Sequence, residues 1–176
     1  MKSRLIFIGI SILVIFAMVI YLNKDNRYYE KDYYAQMQLN RSSNFKEIKA
    51  IYGEPNEIIV EKFSEYNGIS WYTAFAKFND FTAYFQITEA ELKDRKRPES
   101  LWIYTDAFKF GKDELCVGST RQQVNDAYSR CKKAKKVEVG YNEFADAFYD
   151  NYIHITYYYN EKDIVEKIVF YYYRYD

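Results

Sequence analysis

The stretch Cys116-Val-Gly-Ser-Thr-Arg-Gln-Gln-Val-Asn-Asp-Ala-Tyr-Ser-Arg-Cys131 holds a helix start, a short apolar stripe and both cysteines of the chain. Ser119 and Thr120 offer side-chain oxygens to the free amides of a helix start, and Gln123 has the spacing of a capping box with Thr120. The apolar residues that follow at i, i+3 and i+4 spacing are Val124, Ala127 and Tyr128. The stretch therefore predicts a short amphipathic helix.

A related pattern occurs earlier, in Ser43-Asn-Phe-Lys-Glu-Ile-Lys-Ala-Ile-Tyr-Gly53. Its apolar residues align with those of the later stretch: Ile48 with Val124, Ile51 with Ala127, and Tyr52 with Tyr128. Strand-like sequence follows each copy. We therefore predict an α+β fold, a tandem repeat of short helices packed on one face of antiparallel sheet. The two repeat units are expected at residues 43–110 and 111–176.

Alternating side chains and turn residues predict the strands. Asn67-Gly68 is typical of a two-residue hairpin turn. In the stretch 81–88 one face carries Phe and aliphatic residues and the other carries Tyr, Thr and Gln, and 152–159 alternates similarly. With helices on one side, an antiparallel sheet can leave its second face open to water. We therefore expect an exposed, tyrosine-rich sheet face.

The overall composition narrows the function. Lys and Arg number 25, Asp and Glu number 25, and the formal net charge is zero. No excess of positive charge is present to displace phosphate counterions, so nucleic acid is not expected as a partner. Aromatic residues make up 20% of the chain, with 21 Tyr and 13 Phe. Both favour strands, and Tyr is also enriched at protein interfaces.

The N-terminus predicts a membrane anchor. Lys2 and Arg4 precede residues 5–22, which carry no charge. As a helix this segment is about 27 Å long, enough for a thin hydrocarbon core. We predict a transmembrane anchor at 1–22 and a polar stem at 23–42, with the C-terminal domain outside the cytoplasm. A cleaved signal peptide is the alternative, although no small-residue cleavage site is present.

The two cysteines, Cys116 and Cys131, flank the second predicted helix. In an oxidising compartment such thiols usually pair, and closing a loop of roughly 15 residues would contribute about 3 kcal/mol. A straight helix would hold them too far apart, so pairing requires the chain to turn back after Tyr128. Two buried free thiols are the alternative.

The run Val117-Gly-Ser-Thr-Arg-Gln-Gln-Val124, placed before a block of strands, resembles the β-lactamase-inhibitor protein fold. Those proteins carry Gly-x-Thr-Arg-x-Gln-Val at the corresponding helix start, in tandem units of helical hairpin and four-stranded sheet. A similar unit occurs in the small lipoprotein that assists outer-membrane β-barrel assembly. The resemblance covers residues 41–176 and implies a concave sheet that binds other proteins through aromatic side chains.

The sequence also departs from that family. The first unit lacks the Gly-x-Thr start and has no cysteine. Cys116 lies before the helix, whereas the inhibitor's disulfides connect the segment after the helix to a strand. The inhibitor's contact residues have no counterpart that can be placed here, so β-lactamase is not implied as the target.

Enzymatic chemistry has little support in the sequence. His154 is the only histidine, and no neighbouring pattern provides a catalytic or metal-binding partner. Glu143, Asp146 and Asp150 could form the carboxylate pair of an envelope-polymer hydrolase, although such proximity is expected by chance in a chain with this many acidic residues. We predict no enzyme activity, no cofactor and no metal.

We therefore predict a bacterial, membrane-anchored, extracytoplasmic protein-binding module that acts as an inhibitor, an immunity-like protector or an envelope accessory. Its partner would be another protein in the cell envelope or outside. The alternative is a structural subunit of an envelope membrane complex, in which the anchor makes the contact. The candidate binding residues on the tyrosine-rich face are Trp71, Tyr84, Trp102, Tyr104, Tyr152, His154, Tyr158, Tyr171 and Tyr173.

Overall fold

The computed structural model describes residues 36–40, 42–111, 113–129, 135–137, 144–150 and 153–172. The strands are β1 (Glu57–Tyr66), β2 (Ile69–Lys77), β3 (Phe81–Ile87), β4 (Ser100–Ile103), β5 (Lys135–Val137), β6 (Ala145–Asp150), β7 (Ile153–Tyr159) and β8 (Val165–Tyr172). They form one antiparallel sheet in the order β1-β2-β3-β4-β8-β7-β6-β5.

Strands that follow one another along the chain mostly pair as hairpins. The predicted turn between β1 and β2 is confirmed: Asn67 and Gly68 have φ angles of 50° and 75°. Two central residues with positive φ match the right-handed twist of the flanking strands. The register shifts between Lys62 and Ser64 on β1, an irregularity typical of a strand at a sheet edge.

The contact between β4 and β8 joins the two blocks of strands. It consists of four residue pairs: Ser100↔Tyr171, Leu101↔Phe170, Trp102↔Val169 and Ile103↔Ile168. Through this pairing β1–β4 and β5–β8 belong to a single sheet, with β1 and β5 at its two edges.

Two helices lie within the described residues, α1 (Phe45–Tyr52) and α2 (Arg121–Ser129). At α1, the Asn44 side chain accepts a hydrogen bond from the Glu47 amide at 3.0 Å, and the Glu47 carboxylate accepts one from the Asn44 amide at 3.1 Å. At α2 the predicted box is confirmed, because Thr120 Oγ1 accepts from the Gln123 amide and Gln123 Oε1 accepts from the Thr120 amide. Reciprocal capping of this kind satisfies amides that the first helical turn leaves free.

Both helices pack on the same face of the sheet. The Phe45 ring of α1 lies 5.5 Å from the Phe85 ring, and the Tyr128 ring of α2 stacks on Phe148 at 3.7 Å. The sheet residues buried on this side include Ala74, Ala76, Phe81, Ala83, Phe85, Ile87, Leu101, Ile103, Phe148, Ile155, Tyr157, Tyr159, Val165, Ile168 and Phe170. Because side chains alternate along a strand, their neighbours in sequence point to the other face.

The predicted fold class is wrong. The structure is mainly one continuous antiparallel sheet with two helices of eight and nine residues, and it is not a tandem repeat of helices packed on a sheet. The alignment behind that prediction fails at one of its three positions, since Ile51 is 39% exposed and Ala127 is 1% exposed. Pairing of β4 with β8 also merges the two expected sheets into one.

The predictions of a transmembrane helix and of a single-pass membrane location are contradicted as well. Within the described part of the chain, no helix is long and apolar enough to cross a membrane. The proposed anchor at 1–22, and the stem at 23–42 except for its last residues, lie outside the described ranges.

The exposure difference within α1 leads to a stability prediction. Ile48→Ala should lower the free energy of unfolding by about 2–5 kcal/mol, because Ile48 is fully buried and the change leaves a cavity. Ile51→Ala is the matched control, with the same chemical change at an exposed position three residues later, and should have a far smaller effect. Denaturant unfolding of both variants measures this, and equal losses would contradict the described packing of α1.

Candidate functional site

The sheet face opposite the helices is the candidate functional site, and we call it the open face. Strand register places its residues side by side: Phe75↔Tyr84, Thr82↔Trp102, Ser100↔Tyr171, His154↔Tyr171 and Tyr158↔Lys167. Each of these residues alternates with a core residue on its own strand. Both helices within the described residues lie on the other side, so neither one covers this face.

Three aromatic rings form a cluster on the first part of the open face. The Phe75 ring lies 5.4 Å from Tyr84 and 5.6 Å from Trp102, and Tyr84 and Trp102 stack at 6.0 Å. Such ring pairs are favourable beyond the area they bury. The indole of Trp102 donates to Ser100 Oγ at 2.8 Å. The cluster therefore holds its rings in fixed positions.

A second group of residues continues the open face onto β7 and β8. His154 lies 5.2 Å from the Tyr171 ring, and the Lys167 ammonium lies 4.1 Å from the Tyr158 ring centroid. The same ammonium is 5.6 Å from the Trp102 ring. Lys167 thus connects the two aromatic groups across the β4–β8 junction. The small side chains of this part of the face, Ala147, Thr156 and Val169, are buried.

The structure brings most of the predicted binding residues onto one face. Tyr84, Trp102, His154, Tyr158 and Tyr171 are half-buried. Trp71 and Tyr104, at the margins, are 36% and 45% exposed. Tyr152 and Tyr173 lie outside the described residues.

Phe75 and Lys167 also lie on the open face, although neither is among the predicted binding residues. Phe75 lies four residues after Trp71 on the same strand, and Lys167 lies four residues before Tyr171 on β8. Residues four apart on a regular strand share a face. That periodicity could have placed both side chains on the open face.

A groove of about 550 Å³ borders the open face beside Trp71. Its other lining residues come from the end of β3 and the charged loop that follows it: Gln86, Ile87, Thr88, Glu89, Glu91, Lys93, Arg95, Lys96 and Glu99. Lysine and glutamate pair within this loop, as in Lys93–Glu89 and Lys96–Glu99. The groove therefore offers a rim of mixed charge next to an exposed indole.

Burial changes the titration of two groups on the open face. It lowers the pKa of His154 below its ordinary value of 6.5, since a charged imidazolium loses hydration there. Burial also raises the pKa of Tyr104, and a hydrogen bond with Thr82 opposes part of that rise. The His154 ring has Thr156 Oγ1 at 3.4 Å from its Nε2 atom.

Of the three carboxylates considered for a hydrolase, Asp146 is the one whose side chain the structure describes. Asp146 is 2% exposed and accepts hydrogen bonds from Arg121 Nε at 2.9 Å and Nη2 at 3.4 Å. A carboxylate held in this way has both oxygens bonded to the guanidinium and is poorly placed to donate a proton. Glu143 is outside the described residues, as is the side chain of Asp150. Within the described ranges no cluster of three His, Cys, Asp or Glu residues is placed to hold a metal ion.

The residues that carry the family resemblance have a structural role here. Gly118 donates its amide to the Val165 carbonyl at 2.8 Å, and Val165 returns a bond to the Ser119 carbonyl at 2.8 Å. Gly118 has a φ of 97°, a conformation that favours glycine. Arg121 adds ion pairs to Asp146 and Asp163 and lies over the Tyr159 ring at 4.9 Å. These contacts attach the start of α2 to the sheet.

Tyr159 lies beneath this ion pair. Burial raises the pKa of Tyr159 far above its ordinary value, and the neighbouring Asp146 carboxylate adds to the rise. Its ring therefore stays neutral at physiological pH and provides a flat surface for the guanidinium of Arg121.

Cys116 is a free thiol in this structure and is half-buried. Its amide donates to Ser119 Oγ at 3.0 Å, and its sulfur lies 3.8 Å from the same oxygen. Cys131 lies outside the described residues, so its pairing with Cys116 stays a prediction.

No protein-family model, curated protein or solved structure matches this chain. The resemblance to the β-lactamase-inhibitor fold therefore stays a prediction, and the residues themselves have to support any function.

The buried ion pair leads to a second stability prediction. Arg121→Met should lower the free energy of unfolding by about 3–5 kcal/mol, because it leaves the Asp146 carboxylate buried without its cation. Lys77→Met is the control, since it removes an exposed ion pair with Glu57 at 2.8 Å and should have little effect. Denaturant unfolding measures the free energy of unfolding of both variants. Similar small losses would mean that Asp146 can stay buried without the charge of Arg121.

The lowered pKa of His154 predicts a pH dependence. Below pH 6.5 the unfolded chain takes up this proton more readily than the folded chain, so the free energy of unfolding should fall as the pH decreases. Unfolding midpoints measured from about pH 7.5 to about 5.5 test this, since the window spans the ordinary titration of histidine. His154→Gln removes the only histidine and should flatten the profile. An unchanged slope in that variant would assign the effect to other groups.

Proposed function

We propose that this chain is a non-catalytic protein-binding module and that the open face is its binding surface. The observation that carries the proposal is a strip of side chains that runs from the Phe75 and Trp102 rings across Lys167 to the Tyr158 ring. It is located on the sheet side that the described helices do not cover. Trp and Tyr supply much of the binding energy at protein interfaces because they bury large areas with few rotatable bonds.

The packing of the rings also favours binding. The half-buried rings of Phe75, Tyr84 and Trp102 are held by one another, so little of their side-chain entropy remains to be lost when a partner docks. Two hydrogen bonds within the strip are internal, from Trp102 to Ser100 and from Gln86 to Tyr84. A partner could therefore cover the strip without leaving these groups unsatisfied.

The same features favour binding over catalysis. Asp146 is the described carboxylate among the hydrolase candidates. It accepts a hydrogen bond from Arg121 on the helix side of the sheet. On the open face, His154 is half-buried among Tyr171 and Thr156. The rings, the hydroxyls and the Lys167 ammonium of this strip support contact with another molecule better than bond cleavage.

Site-specific photo-crosslinking in the source cell tests the proposal. A benzophenone amino acid placed at Tyr84 or Trp71 should form a discrete covalent adduct with one protein, because both positions lie on the open face. The control position is Ile51, which is exposed on α1 on the opposite side. Adducts from Ile51 with none from the open-face positions would contradict the proposal.

Alanine substitution then tests the contribution of the rings. The triple variant Tyr84→Ala, Trp102→Ala and Tyr158→Ala should reduce partner capture by at least about tenfold, as is usual when central aromatic contacts are truncated. Its thermal transition should stay close to that of the unmodified chain, because these side chains lie outside the core cluster. Loss of the folded state instead would show that the rings serve stability.

A further inference from the structure

Lys167 occupies the middle of the open face. It lies on β8 directly opposite Tyr158, and its ammonium is 4.1 Å from the Tyr158 ring centroid and 5.6 Å from the Trp102 ring centroid. The side chain is half-buried. The two rings therefore hold the positive charge in place and shield part of it from water.

Within the described residues, Lys167 has no carboxylate partner. The other lysines of the sheet with described ion pairs lie toward the β1 edge, where Lys77 pairs with Glu57 and Lys62 pairs with Glu65. Around Lys167, the open-face positions carry neutral side chains, among them Tyr158, Thr156 and Val169. The centre of the strip thus holds one positive charge that makes no ion pair within the described residues.

This arrangement fits a negative group on a partner. A carboxylate arriving between Trp102 and Tyr158 would meet a pre-positioned ammonium in a site that the rings partly exclude from water. Charge-assisted hydrogen bonds are short and strong under such conditions, and desolvated charge pairs contribute to affinity and specificity at interfaces. Acidic side chains surrounded by apolar contacts are therefore the complementary chemistry.

A second copy of this chain fits less well as the occupant. Face-to-face pairing of two copies about a twofold axis brings identical surfaces together. A twofold axis close to Lys167 would bring two like charges together, because the side chains beside it on the open face are neutral. The described acidic residues Glu161 and Glu166 border a groove at the Tyr158 end of this face. The charge distribution therefore favours a different protein.

We propose that the open face recognises a protein partner that inserts an Asp or Glu side chain between Trp102 and Tyr158, where its carboxylate pairs with Lys167. The inference rests on the proposed function and names the chemistry of the partner at that site.

A random peptide library displayed on phage provides the probe. The purified full-length chain selects binders, and peptides that also bind the Trp102→Ala variant are discarded, so that the remaining peptides depend on the open face. These peptides should share an Asp or Glu at one position. Replacing that residue with Asn or Gln should weaken binding by at least about tenfold.

The paired substitution on the protein completes the test. Lys167→Met keeps an unbranched side chain over the rings and removes the charge, and it should weaken the selected peptides by a similar factor. In Lys167→Met the acidic and amide peptides should then bind equally, which is the signature of a direct pair in a double-mutant cycle. Lys167→Arg should retain binding. The control is Lys46→Met, which removes the same charge from an exposed position on α1 and should leave affinity unchanged.

The outcomes separate the two proposals. Open-face peptides without a shared acidic residue, or acidic peptides that bind Lys167→Met as tightly as the unmodified chain, would overturn the role of Lys167 while leaving the binding face intact. Failure to obtain any peptide that depends on Trp102 would count against both. Lys167→Gln replaces Lys167→Met in the same comparison if the methionine variant loses its thermal transition.

Discussion

The short ladder between β4 and β8 is the constraint on which the rest of the structure depends. Only four residue pairs form it, yet they unite strands from distant parts of the chain into one sheet. On the helix side, the ladder places Leu101 against Phe170 in the core. On the open face, it places Trp102 within reach of Lys167 and so connects the two aromatic groups. A pairing of such high sequence separation forms only after costly loop closure, so it depends on the hydrophobic side chains it buries.

The polar contacts at the start of α2 have a complementary role. A helix of nine residues is too short to be stable alone, and its position must come from tertiary contacts. Backbone bonds between Gly118, Ser119 and Val165 attach it to β8, while Arg121 reaches Asp146 on β6. A buried ion pair contributes little net stability, but it is favourable only when both charged groups are held in specific positions. The arrangement therefore fixes where α2 lies and leaves most of the stabilisation to Val124, Ala127 and Tyr128 in the core.

Local features of the fold could be predicted from the sequence, whereas long-range features could not. The capping box at Thr120 and Gln123 and the turn at Asn67-Gly68 depend on residues that are neighbours in the chain, and both are present. The β4–β8 pairing and the Arg121–Asp146 contact join residues that no local pattern relates. The repeat prediction was wrong because it treated a shared apolar spacing as shared burial. Ile51 has the spacing of a core residue, but it lies on the exposed side of α1.

In the candidate site, too, the local features could be predicted from the sequence and the long-range contacts could not. Alternation was enough to place Tyr84, Trp102, His154 and Tyr158 on one face, because strand period depends only on local geometry. It did not reveal which rings would touch, since ring contacts depend on register between strands. Lys167 was missed for this reason: as a single lysine in a strand it looks like an ordinary solvated charge, and its proximity to Trp102 and Tyr158 appears only once three strands are aligned.

The chemistry of the open face follows from this alignment. An isolated lysine on a strand is hydrated and mobile, so it selects partners weakly. Two rings beside the ammonium reduce both its hydration and its freedom. The Trp102 ring is in turn held by Tyr84 and by a hydrogen bond to Ser100. Less side-chain entropy is then lost when a partner binds. A positively charged partner also meets greater repulsion, because the site is partly desolvated. Selectivity for acidic partners would therefore arise from the packing of the sheet itself, with no need for a net charge on the protein as a whole.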